Sequence, residues 1–212
     1  MSRGDEGKMD QAREGASAKL SAKRADRREQ ILNAAERCFA ESGFHGASIG
    51  SIAKACGMSV GHLYHYVENK EALIEEVIRR ELGRHMQRLE ELEFAKPGDI
   101  VNELIAKVAE TILLETDIFR TVLNFETLAE AQRNPKVAVV LQEFDGRMRR
   151  KFIDILKRSG VDNPEHKTEL IFTIFSGLPT RALRHPQQER AIITDTIIPV
   201  VRQILTNEQD GC

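Results

Sequence analysis

A chain of 212 residues with 41% hydrophobic side chains is long enough to bury a substantial core, as one medium domain or two small ones. Its 31 basic and 33 acidic residues nearly cancel, which excludes a global positive field, although the stretch through Lys70 carries 11 Lys/Arg against 9 Asp/Glu. Cys38, Cys56 and Cys212 form neither an even disulfide set nor a CxxC pair, no apolar run approaches the ~18 residues of a membrane span, and the N-terminus lacks a signal-peptide pattern. The expectation is a cytoplasmic protein, neither exported nor membrane-spanning.

Residues 1–20 are rich in Gly, Ala, Ser and charge without helical periodicity, and are expected to be a disordered arm. Between Lys19 and Arg28 stand Lys19, Lys23, Arg24, Arg27 and Arg28 against Asp26 alone, a pattern that suits equally a solvated basic helix start and a DNA-contacting arm. The first strong period is Ile31, Ala34, Ala35, Cys38, Phe39, an amphipathic helix stopped at Ser42-Gly43. Ser48 can cap a short helix with Ile49, Ile52 and Ala53 inward, broken by Gly57, and Ser59 can cap the next through Leu63 and Val67. Asn69 caps a long helix whose inward set is Leu73, Ile74, Val77, Ile78, Leu82, Met86, Leu89 and Leu92, closed by Pro97-Gly98.

Five more helical segments follow, near 99–115, 117–132 (inward Ile118, Val122, Phe125, Leu128), 136–159, 164–184 and 188–206. No alternating β-branched run appears, so the fold class is all-α with about nine helices. Gly83 interrupts the long helix and marks either a close helix crossing or a bend, while Pro199 is expected to kink the last one.

The stretch from Cys56 to Lys70, CGMSVGHLYHYVENK, is poor material for a core: Tyr and His carry polar tips and Gly weakens helices. Two very short helices about a Gly turn, followed by a long helix, have the proportions of a helix-turn-helix. In that arrangement Leu63 and Val67 form the inner face, Gly61 lets backbone approach the DNA, and Ser59, His62, Tyr64 and His65 form the outward surface.

These residues carry a resemblance. Arg28 to Ala35, Phe39, Gly43-Phe44, Ser48-Ile49, Ile52-Ala53, Gly57-Met58-Ser59, Gly61, Leu63 to Val67, Asn69-Lys70-Glu71 and Leu73 together resemble the N-terminal domain of the TetR family of transcriptional regulators. Many relatives carry Thr at the place of Ser48 and Phe at that of Val67. At Gly50 several carry a longer side chain able to reach a base, and here that reach is absent. The resemblance implies a helix-turn-helix domain over 21–68, a helical ligand-binding and dimerisation domain over 69–208, and phosphate contacts from Tyr64 and Lys70. The expected DNA-binding set is Ser48, Ser59, Val60, Gly61, His62, Tyr64, His65 and Lys70.

In the second domain Phe94, Phe119, Phe125, Phe144, Phe152, Phe172 and Phe175 sit on helical stripes, and His85, Thr111, Asn124 and Glu126 interrupt apolar faces. The expected ligand-binding set is His85, Leu89, Ile105, Val108, Phe125, Glu126, Phe152, Phe172 and Phe175. Glu126 would suit a cationic ligand and Arg120 or Arg181 an anionic one, so ligand charge stays open. The last two helices carry broad apolar stripes, and by resemblance they form a dimer's four-helix bundle through Ile171, Phe175, Ile193, Ile197, Val200 and Ile204.

The function so implied is a ligand-responsive homodimeric repressor, released from pseudo-palindromic operator DNA by a small-molecule inducer and controlling efflux or detoxification genes. Neither metal nor cofactor is expected, since His62, Tyr64 and His65 lack a Cys or carboxylate at ligand spacing. An enzyme in a helical bundle is the alternative class, but it needs a repeated Glu-x-x-His, which is absent. A redox-sensing regulator acting through Cys38 or Cys56 is a further alternative, although Cys38 on the inward stripe reads first as a core residue.

Overall fold

The computed structural model describes residues 3–94, 96, 98–186 and 190–206. Among them every regular element is helical and no strand occurs. Cys212, Pro97, the expected domain end at 208 and the side chain of Phe94 lie outside the described residues. The chain divides into two compact units, Met1–Val77 and Ile78–Cys212.

The first unit opens with α1 (Arg3–Gly46). The segment expected as a disordered arm is thus helical from Arg3, in keeping with the helix-favouring Glu, Lys, Gln, Arg and Ala it contains. The predicted stop holds at Gly43, where φ 72 and ψ 165 break the helix in a conformation that favours glycine. Ile31, Ala34, Ala35 and Phe39 are fully buried, and the Phe39 and Phe44 rings meet edge to face with centroids 5.1 Å apart. Cys38, expected in the core, is only half-buried. α2 (Ile49–Ala55) and α3 (Val60–Leu63) follow, with Ile52, Ala53 and Leu63 inward. α4 (Lys70–Glu90) starts in this unit, contributing Leu73, Ile74 and Val77 to its core, and continues into the second. Arg28 is held to Glu76 by a two-pronged ion pair, Nε to Oε1 at 2.5 Å and Nη2 to Oε2 at 2.9 Å.

The second unit continues with a 3₁₀ turn (Glu91–Phe94), α5 (Ile100–Glu115), α6 (Ile118–Ala131), α7 (Pro135–Arg158), α8 (Pro164–Arg184) and α9 (Arg190–Thr206). Its core joins Leu89, Ile100, Leu104, Ile112, Phe152, Ile155, Leu156, Ile171, Leu178, Ile193, Val201 and Leu205. α6 is phased differently from the expectation: Ile118 and Leu128 are exposed, while Thr121, Leu123 and Thr127 are buried. The threonines can face inward because their hydroxyls donate to main-chain carbonyls, Thr121 to Glu115 at 3.1 Å and Thr127 to Leu123 at 2.8 Å.

The broad stripes of α8 and α9 split in two. Ile171, Leu178, Ile193 and Val201 face the core, whereas Leu170, Ile192 and Val200 are exposed. The expected dimer residues are distributed between these two faces. Ile171 and Ile193 are 3% and 8% exposed, and Phe175, Ile197 and Ile204 pack against the same core, leaving Val200 as the exposed member at 39%. Both Pro199 and Pro179 are accommodated within continuous helices. The close crossing allowed for at Gly83 is absent, since a Cβ built there meets nothing within 4 Å.

Candidate nucleic-acid interface and ligand cavity

The helix-turn-helix is built from caps. Ser48 Oγ accepts from the Ser51 amide at 3.0 Å and the Ser51 hydroxyl reciprocally accepts from the Ser48 amide at 3.0 Å, a capping box that starts α2. Gly57 takes φ 66, closing α2 in the left-handed conformation expected of a glycine stop. Ser59 Oγ then accepts from the His62 amide at 3.2 Å and starts α3. Asn69 Oδ1 accepts from the Ala72 amide at 2.7 Å and starts α4. At α2 and α3 each cap satisfies amides that would otherwise be orphaned in a helix too short to hold itself.

On this frame Leu63 and Val67 are buried, at 0% and 6% exposure, and hold α3 to its unit. Ser48, Ser59, Val60, Gly61, His62, Tyr64 and His65 all present exposed residues. The His62 ring lies 5.5 Å from Tyr66 and 6.2 Å from His65, so the imidazoles form one cluster. A Cβ built on Gly61 would meet nothing within 4 Å. Nothing inside the protein therefore requires glycine there. Lys70 is half-buried and its Nζ donates to the His45 carbonyl at 3.0 Å, tying α4 to the end of α1 while two further N–H groups remain on the ammonium.

In the second unit α4 to α8 surround a cavity of about 280 Å³. Of the expected ligand set, His85, Leu89, Val108, Phe152, Phe172 and Phe175 line it, together with Thr111 and Asn124. Ile105, Phe125 and Glu126 do not. Ile105 turns into the core at 6% exposure, and Phe125 and Glu126 are rotated away from the wall by following Asn124 at helical pitch. Arg88, Leu104, Lys107, Glu115, Asp145, Met148 and Pro179 are lining residues that the sequence reading missed. Their stripes give the only local signal, because what brings them together is the packing of helices far apart in the chain.

The charged part of the wall is internally matched. Arg88 Nη2 approaches His85 Nδ1 at 2.8 Å, and Glu115 Oε1 lies 3.4 Å from the same nitrogen. With Arg88 donating, Nδ1 is an acceptor and the ring is neutral. Burial, reinforced by Arg88, lowers His85 to about 4 against its ordinary 6.5. Burial likewise raises the Glu115 carboxyl above its usual range, with Arg88 pulling against it. Glu81 bonds both Arg84 and Arg120, so Arg120 already has a partner, and Arg181 is exposed outside the cavity lining. Lys107 Nζ contacts Glu91 at 2.6 Å and Glu110 at 3.2 Å, and Asp145 accepts from Arg149 at 2.6 Å. Opposite these groups Phe152 and Phe172 meet edge to face at 5.4 Å, beside Leu89, Leu104, Val108, Met148 and Phe175.

Among the described residues no cluster of His, Cys, Asp and Glu is placed to hold a metal ion, and no helix is long and apolar enough to cross a membrane. Burial raises both the Cys38 and Cys56 thiols, with Glu41 adding at Cys38 and Cys38 adding at Cys56, which reduces the reactive thiolate.

Residues 31–77 match the family model described as bacterial regulatory proteins, tetR family, and residues 100–207 match the tetracyclin repressor-like C-terminal domain. The HTH-type transcriptional regulator UidR of Escherichia coli (strain K12) is 38% identical over 116 residues, which is 54% of this chain and 57% of that protein. The chain thus spans little more than half the length of this curated relative. The structure of Salmonella enterica GusR is similar with a TM-score of 0.64 at 28% identity, covering 84% of this chain and 96% of that one. A TetR-family transcriptional regulator from Mesorhizobium loti shares the fold with a TM-score of 0.71 at 19% identity, over 86% of this chain and 96% of that one. The matched family and the named E. coli relative are transcriptional regulators, not enzymes.

Proposed function

The chain belongs to the TetR family of bacterial regulatory proteins, and from that premise we propose that it is a cytoplasmic, homodimeric repressor that binds pseudo-palindromic operator DNA and is released by a small amphipathic ligand. The observation that carries the DNA reading is the outward face of α3. His62, His65 and Tyr64 stand exposed beside a glycine that no internal contact requires, on a base of buried Leu63 and Val67. A helix so presented enters a major groove, where imidazoles reach base edges and Tyr64 and Lys70 reach phosphates.

One such helix reads too few base pairs, and a two-fold dimer doubles the site. The exposed Leu170, Ile192 and Val200 on α8 and α9 support that dimer surface. The ligand's apolar body would lie against Phe152, Phe175, Val108 and Leu104, with its polar end at His85, Arg88 and Asn124. A ligand of that character suits control of efflux or detoxification genes. α4 carries Lys70 near its start and His85, Arg88 and Leu89 on the cavity wall, so ligand-driven displacement of this one helix would alter the DNA-binding geometry.

The test is a gel shift and fluorescence anisotropy with DNA from upstream of the protein's own gene, wild type beside His62→Ala. Preference for that DNA over random duplex is expected, reduced by roughly 1 to 3 kcal/mol in the variant if His62 makes a good base contact. Equal losses on both DNAs would remove His62 from base reading. For the dimer, Ile192→Arg should give monomers in sedimentation and weaken operator binding.

A further inference from the structure

The cations before Arg28 have separate fates. Arg28 is committed to Glu76 within its own unit. Lys23, Arg24 and Arg27 instead line a groove of about 570 Å³ whose other wall is His62, His65 and Tyr66. Arg27 Nη1 donates to Gln30 Oε1 at 2.7 Å, which steadies the guanidinium and leaves its other N–H groups to serve an outside acceptor. Lys23 and Arg24 are exposed, and Lys19, also exposed, stands one turn further out on the face of Lys23 and Arg27. The only acid from Lys19 to Arg28 is Asp26. Cations three and four apart on one helix repel one another, a cost that an external polyanion relieves.

We propose that this N-terminal extension of α1 is a second DNA-contacting element, in which Lys23, Arg24 and Arg27 grip the phosphate backbone flanking the base pairs faced by α3. The inference rests on the reading of α3 as the DNA-reading helix, and the shared groove is what joins the two. Eight residues of helix rise about 12 Å, along which duplex DNA presents a charge every ~1.7 Å, so successive cations meet phosphates without any demand on sequence. The extension therefore adds affinity and footprint length but no base preference. It gives a function to the basic cluster that the helix-turn-helix alone leaves unused.

The full-length protein tests this on a duplex selected by the wild type from a random library, prepared at two lengths: the core palindrome alone, and the core extended by one helical turn at each end. Affinity is measured against salt for wild type, for a triple Lys23→Ala, Arg24→Ala, Arg27→Ala variant, and for a charge-conserving triple Lys23→Arg, Arg24→Lys, Arg27→Lys variant. The wild type should show a steeper salt slope on the extended duplex. The alanine variant should lose that excess, a fall of roughly 3 for each protomer bound, while the charge-conserving variant keeps it. Equal slopes for wild type and alanine variant on the extended duplex would overturn the proposal. So would an alanine effect confined to single-stranded RNA or heparin, which would assign the cluster to another polyanion. His62→Ala separates the two levels: if it leaves affinity and preference on the core duplex unchanged, the reading of α3 fails, whereas a normal His62 effect beside a silent alanine triple removes the extension alone.

Discussion

The two units solve opposite problems with the same material. In the first, Ile31, Phe39, Phe44, Ile52, Leu63 and Leu73 are fully buried and the polar side chains singled out for function point outward from capped helices. In the second, a core of similar residues stops short of closing and leaves about 280 Å³ lined by Phe152 and Phe175 on one side and His85, Arg88 and Glu115 on the other. A surface that meets a large, stiff partner needs a rigid base. A site that meets a small partner needs room, and the charged groups around that room must be matched among themselves while it is empty.

The sharpest way to break this contrast is to hollow the rigid unit. Leu63→Ala should cost about 2 to 5 kcal/mol in urea denaturation and abolish DNA binding, because α3 has only four residues and its single fully buried side chain is Leu63. A cost near zero would mean that α3 is held by its caps instead.

The next effect belongs to the cavity wall. His85 faces Arg88, Arg84 and Glu81 on its own helix, Glu115 on α5, Arg120 on α6 and the Phe144 ring on α7. Its folded-state value of about 4 lies below the ordinary 6.5, so between these the unfolded chain binds the extra proton. Stability is then full above pH 6.5 and falls as pH drops toward 4, by at most roughly 3 kcal/mol. Glu115, raised by burial, acts with the opposite sign from its ordinary 4.5 upward. His85→Asn should flatten the acid-side loss in thermal melts, and an unchanged profile would remove His85 as its source.

A smaller effect separates full from hollow directly. Ala35→Leu in the first unit should cost about 1 to 3 kcal/mol by overpacking, whereas Val108→Leu, extending into free volume, should stay within about 0.5 kcal/mol. Similar costs for both would mean that the cavity wall cannot take up an extra methylene. Opposite in sign is Gly61→Ala, expected to raise stability by up to about 1 kcal/mol because the added methyl has open space and alanine favours helix. The same change should weaken DNA binding, as anisotropy would show. Unchanged affinity would place the DNA backbone away from Gly61.

How far these features were legible depends on how local their causes are. Ser48, Gly57, Ser59 and Asn69 act on amides within three residues, so the caps, the turn and the outward face of α3 could be read in order. The arm was misread because Gly and Ser suggested disorder where Glu, Lys, Arg and Ala sustain a helix. α6 was misphased because hydrophobicity alone sets its inward face at Ile118 and Leu128, whereas hydroxyls bonded to nearby main-chain carbonyls let Thr121 and Thr127 be buried. The cavity was half legible. His85, Phe152 and Phe175 stood out by type, but Arg88 and Glu115 become wall residues only through helix packing. Arg28 and Glu76, 48 positions apart, left no pattern to find.

The matched charges of the wall also bear on how such a protein changes over generations. Because Arg88 is balanced by Glu115, Lys107 by Glu91 and Glu110, and Asp145 by Arg149, the field felt by a bound molecule is a small remainder between nearby opposites. Removing one balancing partner, as in Glu115→Gln, would leave the shape of the cavity almost intact while unmasking a cation. If the proposed ligand role holds, a lineage could thereby move from neutral to anionic ligands in a single mutational step, with no change in α3.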